Sequence, residues 1–192
     1  MRRSRGLVFS CIGLLALAGC SWFSKSEPPE PAPAPPPAVA PQPEAPPATS
    51  TDQQFLDIAI AGELAEVDLS KVAQRKGHHH LVRLFGEHMV AEHTQSKNRL
   101  LAVARGVNLT TSASLDAQEQ AVRDQLASLN GAAFDRQYMA GQIKGHEDMI
   151  KLFQTEAQSG ENPRLKAFAR EQLPKLREQL RRARGVAKDV GA

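Results

Sequence analysis

Proline placement constrains this chain more than any other feature. Of the 13 prolines, all but Pro163 and Pro174 fall within residues 28–47, in the run PPEPAPAPPPAVAPQPEAPP. Proline locks φ and has no backbone N–H, so such a run forms neither a helix interior nor a central strand. A disordered, solvated spacer of polyproline type is expected. About twenty residues at ~3.1 Å each would reach ~60 Å. The same run could instead serve as a docking ligand for an SH3-like partner. Beyond it the constraint lifts. Residues 51–190 carry only two prolines and no strand-type alternation, which leaves room for long helices. The chain therefore divides into residues 1–19, residues 20–50 and one domain at 51–190.

The first division reads as an export signal. Arg2, Arg3 and Arg5 precede an apolar run at residues 7–18, too short for the ~20 residues that span a bilayer core. It ends in Leu17-Ala18-Gly19-Cys20, which resembles the lipobox of bacterial lipoproteins. That resemblance implies cleavage before Cys20 and diacylation of its thiol by palmitate-type chains. Two acyl chains anchor stably where one does not. A plain secretory signal is the other reading. Ser21, where an aspartate is absent, implies by resemblance to a bacterial sorting rule the outer membrane, with the domain facing the periplasm. Cys11 and Cys20 are the only cysteines, so none remains for a disulfide. Residues 1–19 hold three Arg and no acid, which accounts for the whole net charge of +3. The basic balance thus gives no support to a nucleic-acid partner.

Within the domain, Thr51 and Gln54 fit a capping box, and a first helix is expected to about Lys76. Its apolar face is Phe55, Ile58, Ala59, Gly62, Ala65, Leu69, Val72 and Ala73, with Glu66 in the stripe. A second helix at 81–104 carries Val82, Phe85, Met89, Leu100 and Val103, with His93 and Ser96 completing the face. A shorter helix at 115–129 carries Leu115, Val122, Leu126 and Leu129. A long helix at 134–157 aligns Met139, Ile143, Ile150, Phe153 and Ala157 with His146 among them. Asn162 and Pro163 fit the start of a last helix using Leu165, Phe168, Leu176 and Leu180, with Pro174 inside it. Its many Arg and Lys form a solvated face, or one that meets anionic lipid or envelope polymers. The expected fold is all-α: a four-helix bundle with one extra short helix. The two helix–turn–helix halves suggest an internal duplication, although no repeat is plain in the sequence.

Glu66, His93 and His146 lie on inner faces of three helices, and Gln179 takes the matching place on the last. Inward carboxylates and imidazoles either form a buried hydrogen-bond network or bind metal, with iron, copper or zinc as the ions to consider. A di-iron site would need two Glu-x-x-His pairs, which Glu87–Val90 and Glu171–Pro174 do not supply. The run His78-His79-His80 would hold a metal only weakly, at a surface. No nucleophile elbow or phosphate-cradling loop occurs, and nothing points to a catalytic set.

The segments Ala65-Glu66-Val67, Met89–Thr94, Phe134-Asp135 with Tyr138, Gln142 with His146, and Phe168-Ala169 before Leu173-Pro174 together resemble the bacterial exported proteins of domain of unknown function 4142. The resemblance implies a ferritin-like bundle. A histidine usual in that pattern is replaced here by Gln179. The leading expectation is a membrane-anchored, non-enzymatic envelope lipoprotein that binds a ligand, a polymer or a protein, or acts in stress tolerance. The alternative is a metalloprotein that binds or oxidises an ion through Glu66, His93 and His146.

Overall fold

A computed structural model describes residues 50–111, 114–115 and 117–192. The expected signal peptide, Cys20 and the proline-rich spacer lie outside the described residues. Five helices follow in order: α1 (Ser50–Lys76), α2 (His80–Arg105), α3 (Ala117–Ser128), α4 (Gly131–Ser159) and α5 (Pro163–Val190). No strand occurs among the described residues. α1 and α2 form one antiparallel hairpin, and α4 and α5 form another. α1 packs on α4 and α2 on α5, while the short α3 leans on α1 and α4. This is the expected all-α, ferritin-like four-helix bundle with one added short helix.

The helix ends follow from local chemistry. Asn162 Oδ1 accepts from the Arg164 N–H at 3.0 Å, ahead of Pro163 at the first helical position. His79 Nδ1 performs the same service for Leu81 at 3.3 Å. The expected cap at Thr51 is corrected: α1 already includes Ser50, so Thr51 sits inside the helix.

The two hairpins correspond at one constant spacing. Asp52 pairs with Asp135, Gly62 with Gly145, Gly77 with Gly160 and Phe85 with Phe168. Their contacts are reciprocal, as a two-fold relation requires. The Asp52 carboxylate accepts from the Glu161 and Asn162 N–H groups at 3.0 and 3.1 Å, strapping α1 to the α4–α5 turn. The Asp135 carboxylate accepts from the His78 and His79 N–H groups at 2.8 and 2.7 Å, strapping α4 to the α1–α2 turn. Glycine lets α1 and α4 approach closely, again reciprocally. A Cβ on Gly62 would meet the Met149 thioether at 3.1 Å, and one on Gly145 would meet Glu66 Oε1 at 3.0 Å.

Two apolar cores result. One, at the end holding the α4–α5 turn, gathers Phe55, Leu56, Ile60, Leu100, Phe153, Leu165 and Phe168. The other, at the end holding the α1–α2 turn, gathers Val72, Val82, Phe85, Met89, Phe134, Tyr138 and Met139. In the first, Phe55 meets Phe153 edge to face at 5.2 Å. At the equivalent place in the second, Tyr138 and Ser70 share a hydrogen bond of 2.9 Å.

Beside the α4–α5 turn, the buried Glu156 carboxyl lies against Gly160. Burial pushes its pKa up to about 7, the Asp52 charge adds to this, and Lys166 partly offsets it. The folded state therefore holds a proton that the unfolded chain loses near the ordinary carboxylate pKa. Stability should fall as pH rises from ~4.5 to about 7 and then level off. Glu156→Gln should flatten that slope and leave the variant ~1–2 kcal/mol more stable than the parent at pH 8, after allowance for relaxation toward solvent. Urea unfolding at pH 5 and pH 8 measures this. Equal slopes in parent and variant would contradict it.

Candidate functional site

Between the two cores lies a polar layer. The Glu63 carboxylate on α1 is almost fully buried. It meets His93 Nδ1 of α2 at 2.8 Å through one oxygen and accepts from Ser96 Oγ at 2.6 Å through the other. Glu66, one turn on, accepts from Gln142 Nε2 of α4 at 2.7 Å. His146 Nδ1 lies 2.8 Å from the Gln142 carbonyl oxygen, within its own helix. The His93 and His146 rings stand 5.5 Å apart at a steep 75°. Nε2 of each ring is buried without a hydrogen-bond partner, and so is Oε1 of Gln142.

The expected trio of Glu66, His93 and His146 thus comes from three helices to one level of the bundle, but the three do not hydrogen-bond to one another. His93 pairs with Glu63 rather than Glu66, and Glu66 meets a glutamine rather than an imidazole. Among the described residues, no three His, Cys, Asp or Glu side chains stand together as one ion would need. Gln179 is buried as expected and donates to Glu92 Oε2 at 2.6 Å, where Arg182 also binds.

Electrostatics separates the two histidines. Burial works against a charge on His93, but the Glu63 hydrogen bond and the charges of Glu63, Glu66 and Glu92 outweigh it and raise its pKa. His146 Nδ1 faces a carbonyl rather than a carboxylate. Burial lowers its pKa, Glu66 only partly opposing, so it stays neutral. Burial also raises the Tyr138 pKa far above its usual value.

Sequence reasoning missed Glu63. The signal was present: Leu56, Ile60, Glu63, Val67 and Ser70 are spaced by three and four, and all are buried. Of the expected face, Phe55, Ala59, Glu66, Val72 and Ala73 are buried, but Ile58 is not, which the structure corrects. Ile58 is 56% exposed, and Val122 of α3, also expected inside, is 48% exposed. Both border a groove of about 720 Å³ between α1, α3 and α4, with Leu69, Leu126, Met149 and Leu152 on its walls and Glu66 and Gln142 reaching it. Here α3 stands off the bundle instead of sealing it. A second, more polar cleft of about 480 Å³ opens between α2 and α5 and reaches Glu63, His93, Gln179 and Arg182. His78 and His80 are exposed at the α1–α2 turn.

Among solved structures, the crystal structure of a DUF305 fragment from Deinococcus radiodurans is similar in shape, with a TM-score of 0.67 at 16% identity. The similarity covers 75% of this chain and 99% of that one, and at such identity it concerns the fold alone. Among curated proteins none matches the chain. The polar layer and all but the last turn of the paired hairpins lie within residues 37–186, the span matched by the family described as Domain of unknown function (DUF4142), and the chain belongs to that family.

Proposed function

We propose that this protein is a non-enzymatic ligand-binding bundle, held in the cell envelope by lipid on Cys20 and facing the periplasm from the outer membrane. The groove between α1, α3 and α4 carries the binding reading. Its volume suits a small molecule, its walls are largely apolar, and Glu66 and Gln142 add fixed polar atoms at its floor. The lipobox-like Leu17–Cys20 supports the anchor, and the proline-rich run supports a tether that lifts the domain off the membrane.

Full-length protein should take up the neutral dye N-phenyl-1-naphthylamine in a saturable, single-site manner. Ala65→Trp, which fills the groove wall, should weaken uptake ~10-fold without a loss of melting temperature. Non-saturable uptake, or uptake unaffected by Ala65→Trp, would overturn the groove as the site. Cys20→Ala should release the domain from the membrane fraction or leave an unprocessed precursor. Correctly cleaved Cys20→Ala still recovered with membranes would refute the anchor.

One observation favours a second reading, a ferritin-like metalloprotein that binds or oxidises an ion through Glu66, His93 and His146. Two of those three side chains end in buried nitrogens that no protein group meets.

A further inference from the structure

Within the polar layer, the atoms without partners are of one chemical kind. His93 Nδ1 faces a carboxylate and His146 Nδ1 faces a carbonyl, both acceptors, so each Nδ1 carries the proton. In a neutral ring Nε2 is then a bare lone pair; on His93, where the carboxylates favour the charged ring, a cation would take the place of the Nε2 proton and meet the same negative surroundings. The Gln142 amide is oriented likewise: its Nε2 donates to Glu66, which leaves Oε1 as the free end. Three electron-pair donors on neighbouring side chains are buried with nothing to accept from them. An Nδ1–H held by a carboxylate or carbonyl is also how ligating histidines are oriented.

We propose that His93 Nε2 and His146 Nε2, with Gln142 Oε1 as a third donor, bind one late first-row cation of the zinc or copper type. This rests on the metalloprotein reading and changes its ligands: Glu66 becomes the residue that orients Gln142, and Glu63 the one that orients His93.

The spacing supports it. With metal–nitrogen bonds of ~2.0–2.1 Å, an ion sits ~3.2 Å from the centre of each ring. Two rings on one ion at a tetrahedral to trigonal angle then stand ~5.2–5.5 Å apart. The observed separation is 5.5 Å, within the range that two rings sharing one ion require. Imidazole nitrogen with an amide oxygen suits zinc or copper, whereas magnesium and calcium want oxygen throughout. The cleft between α2 and α5 reaches His93 and supplies a way in.

The test uses the full chain without an affinity tag, carrying His78→Gln, His80→Gln and His88→Gln to remove the exposed imidazoles. Calorimetric titration with zinc chloride, and separately with copper(II) chloride, should show one ion per chain for at least one metal. His93→Ala and His146→Ala should each weaken that binding at least ~10-fold. Because either variant could fail to fold, nitrogen NMR of the imidazoles in the unsubstituted layer gives an independent measure. Nε2 of His93 and His146 should shift on metal addition while both Nδ1 stay protonated. One bound ion with those Nε2 signals unmoved would overturn the ligand assignment and leave the metalloprotein reading standing. No bound ion with either metal would overturn both.

Discussion

Glu63→Ala is expected to lower the stability of the bundle by ~3–5 kcal/mol, more than any other single truncation in the polar layer. The carboxylate is buried and meets groups on α2 through both oxygens, His93 through one and Ser96 through the other. Its loss strands the imidazole and the hydroxyl that were bonded to it, and water entering by the cleft between α2 and α5 restores only part of those bonds. Glu66→Ala should cost only ~1 kcal/mol, because Glu66 has one side-chain partner and borders an open groove. Combining Glu63→Ala with His93→Ala should cost clearly less than the sum of the two, since each already removes the shared bond. Chemical unfolding of the four variants measures this. A larger loss from Glu66→Ala than from Glu63→Ala would refute the assignment of Glu63 as the main bridge.

Asp52→Ala and Asp135→Ala should each destabilise by ~2–3 kcal/mol. Each carboxylate accepts two successive backbone N–H groups of a turn in the other hairpin. Charge-assisted bonds of this kind are among the stronger ones. The two straps sit at opposite ends of helices ~40 Å long, so their losses should add. Asp148→Ala provides the contrast: its contacts with Lys144 and Lys151 are exposed, and its removal should change stability by less than ~0.5 kcal/mol. Non-additive losses for the Asp52 and Asp135 pair, or a comparable loss at Asp148, would contradict the strap account.

Periodicity made most of this fold legible. Spacings of three and four located all five helices to within a few residues, and Asn162-Pro163 fixed one start closely. The face of α1 was read partly too far round: Phe55, Ala59, Val72 and Ala73 are buried as expected, while Ile58 and Ala65 lie on a stripe beside the buried one. Only the stand-off of α3 explains why apolar Ile58 faces a groove. Polar partners were harder to see. His93 and His146 were visible as ionisable residues in apolar stripes, yet their partners depended on the register between helices. The strap role of Asp52 and Asp135 escaped notice because a bond to a distant turn leaves no local pattern. The duplication was suggested by the two helix–turn–helix halves, but its constant spacing was hidden, since the equivalent positions that stayed alike are mostly scaffold ones such as Gly77 and Gly160.

The constant spacing between the hairpins has a consequence at their centre. Glu63 and His146 are equivalent positions, as are Glu66 and Met149, and His93 and Leu176. Two identical hairpins assembled as a homodimer would place the same residue on both sides of the axis. Glutamate would then oppose glutamate in a dry interior, and like charges there resist ionising together. Joining the hairpins in one chain breaks that symmetry, so that a carboxylate, an imidazole and a thioether can occupy places a homodimer would have to fill alike.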